Sequence, residues 1–138
     1  YEIDSNKYKN FYDANELKDF VTQSRDNLIS HPVELGTAQY IEAFDSKNLT
    51  AIERLLAENS VLYDPNVGEI CGKDNILKFL STIFQRGVVN FVGKTVIAND
   101  TFSCIEFLLT IDGDIIKGAD VITWQSGKIS KIHAYLES

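Results

Sequence analysis

A change of hydropathic period near Val88 constrains this chain more than any other feature of its sequence. Before it, apolar residues recur at helical spacing. After it, they alternate, as they do along a strand with one buried face. Four strands are predicted, over about 88–98, 102–111, 114–125 and 128–136, separated by Asn99-Asp100, Asp112-Gly113 and Ser126-Gly127. Asp-Gly and Ser-Gly between β-rich runs are hairpin signals, so these strands form an antiparallel meander. Helices followed by such a meander give an α+β fold. A strongly curved sheet wrapped around the helices would enclose a concave pocket.

The first half supplies the helices. Asp13 opens a stripe of Leu17, Phe20, Val21 and Leu28 that should end near Ser30–Pro32. Pro32 suits a first helical turn, and Val33, Thr37, Tyr40, Ile41 and Phe44 share a face up to about Ser46. Further helices are expected over about Leu49–Glu58 and Lys73–Gln85, with a short strand at Ser60–Asp64 between them that Pro65 stops. Residues 1–12 read as an arm or one short element lying on the domain. The division is therefore an N-terminal helical extension, 1–31, and a domain, 32–138.

At 138 residues, 44% hydrophobic and 24% charged, this is one globular domain with room for a real core. Its formal charge is 13 − 20 = −7, and the basic residues are scattered. Phosphate backbones would be repelled, so nucleic-acid binding is not expected. No apolar run approaches the roughly 20 residues that cross a bilayer, so the chain is expected to be soluble and not a membrane protein. It contains no Met, which implies a lost initiator ahead of Tyr1 and leaves the compartment open. Cys71 and Cys104 read as buried or half-buried free thiols. With His31 and His133 the only histidines and no ligand-spaced cluster, no metal site is expected.

Three polar residues fall on faces that should otherwise be apolar: Tyr40, Asp64 and Asp120. Tyr40 shares its helical stripe with Val33 and Phe44. Asp64 ends its strand on the same side as Leu62. Asp120 shares a face with Ile116, Gly118, Ile122 and Trp124, the bulkier of the two and therefore the one assigned to the pocket. Desolvation would raise the pKa of a carboxyl there, and a protonated Asp donates a hydrogen bond as Tyr does. A second carboxylate at the pocket edge would take a proton from carbon. Phe44, Leu62, Ile122 and Trp124 are the expected pocket walls. Each polar residue also has a plain structural reading: Asp64-Pro65 as a turn, Tyr40 as a core aromatic, Asp120 as a carboxylate bonded to its neighbours. His133 has the parity of the solvent or interface side.

The run Tyr40-Ile41-Glu42-Ala43-Phe44, then Asn48-Leu49, Asp64-Pro65 and Gly72-Lys73-Asp74 resembles the nuclear transport factor 2-like superfamily. Asp120-Val121-Ile122-Thr123-Trp124 and Ser126-Gly127-Lys128-Ile129 add to the likeness, which covers about Val33 to Leu136. SnoaL-like polyketide cyclases and ketosteroid isomerases belong there. The resemblance implies a cone with a deep apolar pocket, a homodimer formed through the sheet, and a small apolar molecule as partner. Within the isomerase pattern Asp64 matches the general base, while Tyr40 and Asp120 match the donors to the enolate oxygen. It implies cofactor-free proton transfer next to a carbonyl, or, in other members, non-catalytic ligand binding or protein–protein contact. The residues before Pro32 have no counterpart in the isomerases. They would form a lid, pack on the sheet or fill a dimer groove.

Overall fold

The computed structural model describes residues 11–12 and 32–137. The helix expected from Asp13, and most of the N-terminal extension, lie outside the described residues. A two-residue strand β1 (Phe11–Tyr12) is followed by α1 (Pro32–Asp45), α2 (Leu49–Leu55), β2 (Leu56–Asp64), β3 (Gly68–Cys71) and α3 (Lys73–Phe84). The meander is β4 (Val89–Ala98), β5 (Phe102–Ile111), β6 (Asp114–Gln125) and β7 (Lys128–Leu136). The sheet order is β1-β4-β5-β6-β7-β2-β3. Neighbours are antiparallel except β2 and β7, which run parallel. The last strand is thus an inner one, held by β6 on one side and β2 on the other.

The α+β expectation holds, and local chemistry accounts for it. Both predicted tight hairpins have two left-handed residues: Asp112 and Gly113 at φ 49° and 90°, Ser126 and Gly127 at φ 53° and 78°. That conformation matches the twist of the flanking strands. Register shifts at Gly93/Thr95, at Thr123/Trp124 and along β2 interrupt the ladders. Such irregularities bend and twist strands, and the sheet curves over α1 and α3. α1 is tied down by Asp45, whose Oδ1 accepts from the Phe91 amide at 2.8 Å. Asn48 caps α2 by accepting from the Ala51 amide at 3.0 Å. Ile76, Leu80 and Phe84 of α3 are buried with Ile52, Ile105, Ile129 and Ile132 in the core.

Two elements differ from the sequence reading. The helix expected to reach Glu58 stops at Leu55, because Leu56 turns extended (ψ 136°) and starts β2 with its side chain still buried. β3 is an additional strand, paired with β2 from Val61↔Cys71 to Asp64↔Gly68. Cys71 is exposed rather than buried, while Cys104 is half-buried. No helix among the described residues is long and apolar enough to cross a membrane.

Candidate functional site

The concave side of the sheet and the inner faces of α1 and α3 enclose a cavity of about 250 Å³. Tyr40, Asp64 and Asp120 all line it, from three different elements. Tyr40 reaches it from α1 and is 1% exposed. Its ring packs edge-on to Phe91 at 6.4 Å between centroids and tilted to Phe44 at 6.1 Å. Asp120 comes from the middle of β6, between Ile105 of β5 and Ala134 of β7, and is 6% exposed. Among the described residues neither side chain has a hydrogen-bond partner, and neither is walled off from the cavity: the one fully occluded polar side-chain atom without a partner is Ser60 Oγ. Their polar atoms therefore face open space.

Burial pushes the Asp120 carboxyl up to about 7, with the negative charge of Asp64 adding to it. The same two effects act on Tyr40: burial first, then the charge of Asp120, hold its hydroxyl well above the usual phenol range. Below pH about 7, then, the cavity presents two neutral O–H donors in an apolar wall. Such donors stabilise negative charge appearing on a bound oxygen more strongly than they would in water.

Asp64 behaves differently. It is half-buried at the end of β2, and its Oδ1 accepts from the Asn66 amide at 2.8 Å and the Val67 amide at 3.2 Å. The turn and the pocket edge thus share one residue, with Oδ1 held by the turn. Asn66 also lines the cavity, as does Arg86, whose guanidinium pairs with Asp114 at 3.2 Å on the exposed rim.

Phe44 and Leu62 line the cavity. Ile122 and Trp124, expected as walls, are buried but are not among the lining residues. They sit beyond Asp120, where the cone is filled. Gly36 lets the indole lie directly on α1: a Cβ there would come within 2.5 Å of Trp124 Cη2. The indole Nε1 donates to Ser103 Oγ at 2.9 Å, and Ser103 shares a 2.8 Å hydrogen bond with Thr37. Sequence parity gives the face of a strand but not the point along it where a helix closes down.

Several lining residues escaped the sequence reading. Phe79 and Arg86 flank, at helical spacing, Ile83, which the sequence places on the inward face of this helix, a signal that would have found them. Phe91 and Phe107 have inward parity on β4 and β5, but only the fold brings their rings to 5.3 Å. Glu34 is a further buried carboxyl, at 3% exposure. His133 lies on the outer face of the sheet, stacked on Tyr135 at 4.3 Å and on Tyr63 at 5.2 Å. No group of His, Cys, Asp and Glu suited to a metal occurs among the described residues.

The sequence matches the SnoaL-like domain family over residues 37–132, more than half of the chain. This chain belongs to that family. No curated protein sequence matches it. Solved structures are similar to the SnoaL-like domain at low identity. A nuclear transport factor 2-like protein of unknown function from Burkholderia xenovorans LB400 gives a TM-score of 0.71 at 13% identity, covering 80% of this chain and 87% of that one. A candidate ketosteroid isomerase from Kribbella flavida DSM 17836 gives 0.69 at 16% identity, covering 75% and 76%. A computationally designed 17-OHP binder gives 0.68 at 14% identity, covering 77% and 91%. At these identities the likeness is one of fold, and it agrees with the α+β cone of the SnoaL-like domain described above.

Proposed function

We propose that this SnoaL-like domain is a cofactor-free enzyme that moves a proton next to the carbonyl of a small apolar molecule. The observation that carries the reading is the convergence of Tyr40, Asp64 and Asp120 on one apolar cavity. A ketone oxygen near Tyr40 and a protonated Asp120 gains donors as it becomes an enolate. The Asp64 carboxylate at the edge takes the proton from the adjacent carbon and returns it to another. Asp120 must be protonated to donate, so turnover should fall as pH rises through about 7.

The test is α-proton exchange into D2O and isomerisation of cyclohex-3-enone to its conjugated isomer. Acceleration over buffer is expected. Asp64→Asn should remove about 10²–10⁴-fold of it, and Tyr40→Phe about 10²–10³-fold. No acceleration, or variants as fast as the wild type, would overturn the reading.

One observation favours a second reading, a non-catalytic binder of hydrophobic ligands: Oδ1 of Asp64 already serves the Asn66 and Val67 amides. Saturable ketone binding without exchange would select it. For assembly we propose a homodimer through the outer face of the sheet, where Ile97, Phe102 and Tyr135 are exposed. Analytical ultracentrifugation should give twice the chain mass; a monomer at high micromolar concentration would refute it.

A further inference from the structure

The cavity is small for a ligand site. Ligand sites usually enclose about 300–1,000 Å³; this one encloses about 250 Å³. An apolar cavity of about 150 Å³ takes one benzene, so space in proportion holds about ten non-hydrogen atoms, one ring with substituents. Four fused rings exceed it.

What limits the space is a set of aromatic rings packed on one another. Phe91 lies 4.6 Å from Phe44 and 5.3 Å from Phe107, and Phe44 meets Phe84 edge-on at 5.1 Å. All four are buried. A ring held on several sides in a close-packed interior does not swing aside for a larger ligand. Phe91 and Phe107 are the aromatic lining residues that the sheet contributes, from β4 and β5, and Phe91 also touches the Tyr40 ring.

Charge narrows the class further. The Asp64 carboxyl lies at the edge of the cavity, which disfavours an anion in the bound ground state. Arg86, the cation among the described lining residues, is paired with Asp114 on the rim. A cation would lose its hydration against a wall that is otherwise mostly apolar, a steep cost. An uncharged molecule with one acceptor oxygen, placed for the Tyr40 hydroxyl and the Asp120 carboxyl, satisfies the site.

We infer that the cavity takes a neutral one-ring carbonyl compound of about ten non-hydrogen atoms, and that Phe91 and Phe107 set this size limit. The inference rests on the cavity being the substrate site, and it deepens that reading by naming the class of substrate.

Isothermal titration of the full chain with isophorone, 2-acetylnaphthalene, testosterone and benzylamine tests it. Isophorone, one ring and about ten non-hydrogen atoms, should bind at one saturable site at least about tenfold more tightly than any of the other three. Phe107→Ala should raise affinity for 2-acetylnaphthalene by about tenfold or more. Phe107→Leu and Phe91→Leu keep most of the packing and should move in the same direction by less. Testosterone or benzylamine binding as tightly as isophorone would overturn the inference. So would an absence of isophorone binding, or folded Phe variants with unchanged ligand preference. Isophorone binding without proton exchange leaves the size limit standing and removes the catalytic reading. Exchange catalysed on testosterone does the reverse.

Discussion

Helix α1 sets two polar side chains against the sheet about one turn apart, Thr37 and Tyr40, and they meet opposite surroundings. The Thr37 hydroxyl bonds the Val33 carbonyl at 2.6 Å and Ser103, which in turn accepts from Trp124. That cluster is dry, and Gly36 and the indole close it. Tyr40 points to the cavity with Asp120 and finds no hydrogen-bond partner among the described residues. Asp120 and Trp124 lie on the same face of β6. One helix and one strand thus carry a polar cluster completed from within the chain and another completed only by something that enters. Buried groups left open cost stability, so a fold keeps them where a ligand repays the cost.

The largest test of this contrast is pH. Unfolded, the Asp120 carboxyl titrates near 3.8; folded, it is pushed up to about 7. Between these values the folded protein holds a proton that the unfolded chain has released. Stability should therefore fall as pH rises through that window and level off above it, by up to about 4 kcal/mol from this one group. Asp120→Asn should erase that slope and be the more stable protein at pH 8. Denaturant midpoints at pH 5 and pH 8 check this; a slope unchanged by the substitution would place the carboxyl in solvent.

The closed cluster should fail in the other direction. Gly→Ala inside a helix ordinarily stabilises by about 0.5–1 kcal/mol. Gly36→Ala should instead cost about 1–3 kcal/mol, because its Cβ meets the Trp124 ring. A raised melting temperature would show that the indole yields. Two hydroxyl deletions form a pair, and the second is the smallest effect. Ser103→Ala strands the Trp124 N–H and should cost about 1–3 kcal/mol. Tyr40→Phe removes a hydroxyl that stabilises nothing within the fold and should stay within about 0.5 kcal/mol. Equal losses in thermal melts of the two variants would dissolve the distinction between the clusters.

Most of the architecture was legible because it is written in local chemistry. Asp112-Gly113 and Ser126-Gly127 can adopt left-handed turns, and the strands they join alternate cleanly, so predicted and observed bounds of the meander differ by at most a residue. Leu56 was ambiguous because one leucine ends a helical stripe and begins a buried strand. β3 escaped because its four residues are mostly exposed and acquire order only by pairing with β2. At the site, Tyr40, Asp64 and Asp120 stood out as polar residues on apolar faces. The extent of the cavity did not, since it depends on where α1 presses onto β6. That is set by the absence of a side chain at Gly36, a long-range fit with no local signature.

The position of β7 has a consequence for how the chain acquires its fold. The strand nearest the C-terminus is an inner one, and its parallel partner β2 was made some seventy residues earlier. Until residues 128–136 emerge from the ribosome, β6 and β2 each lack a neighbour, and the sheet cannot run on from the meander to β2 and β3. Pairings this distant in sequence fold slowly, because loop entropy is lost before contacts repay it. A strand edge stays open meanwhile, and such an edge is prone to pair with other chains until β7 fills the place.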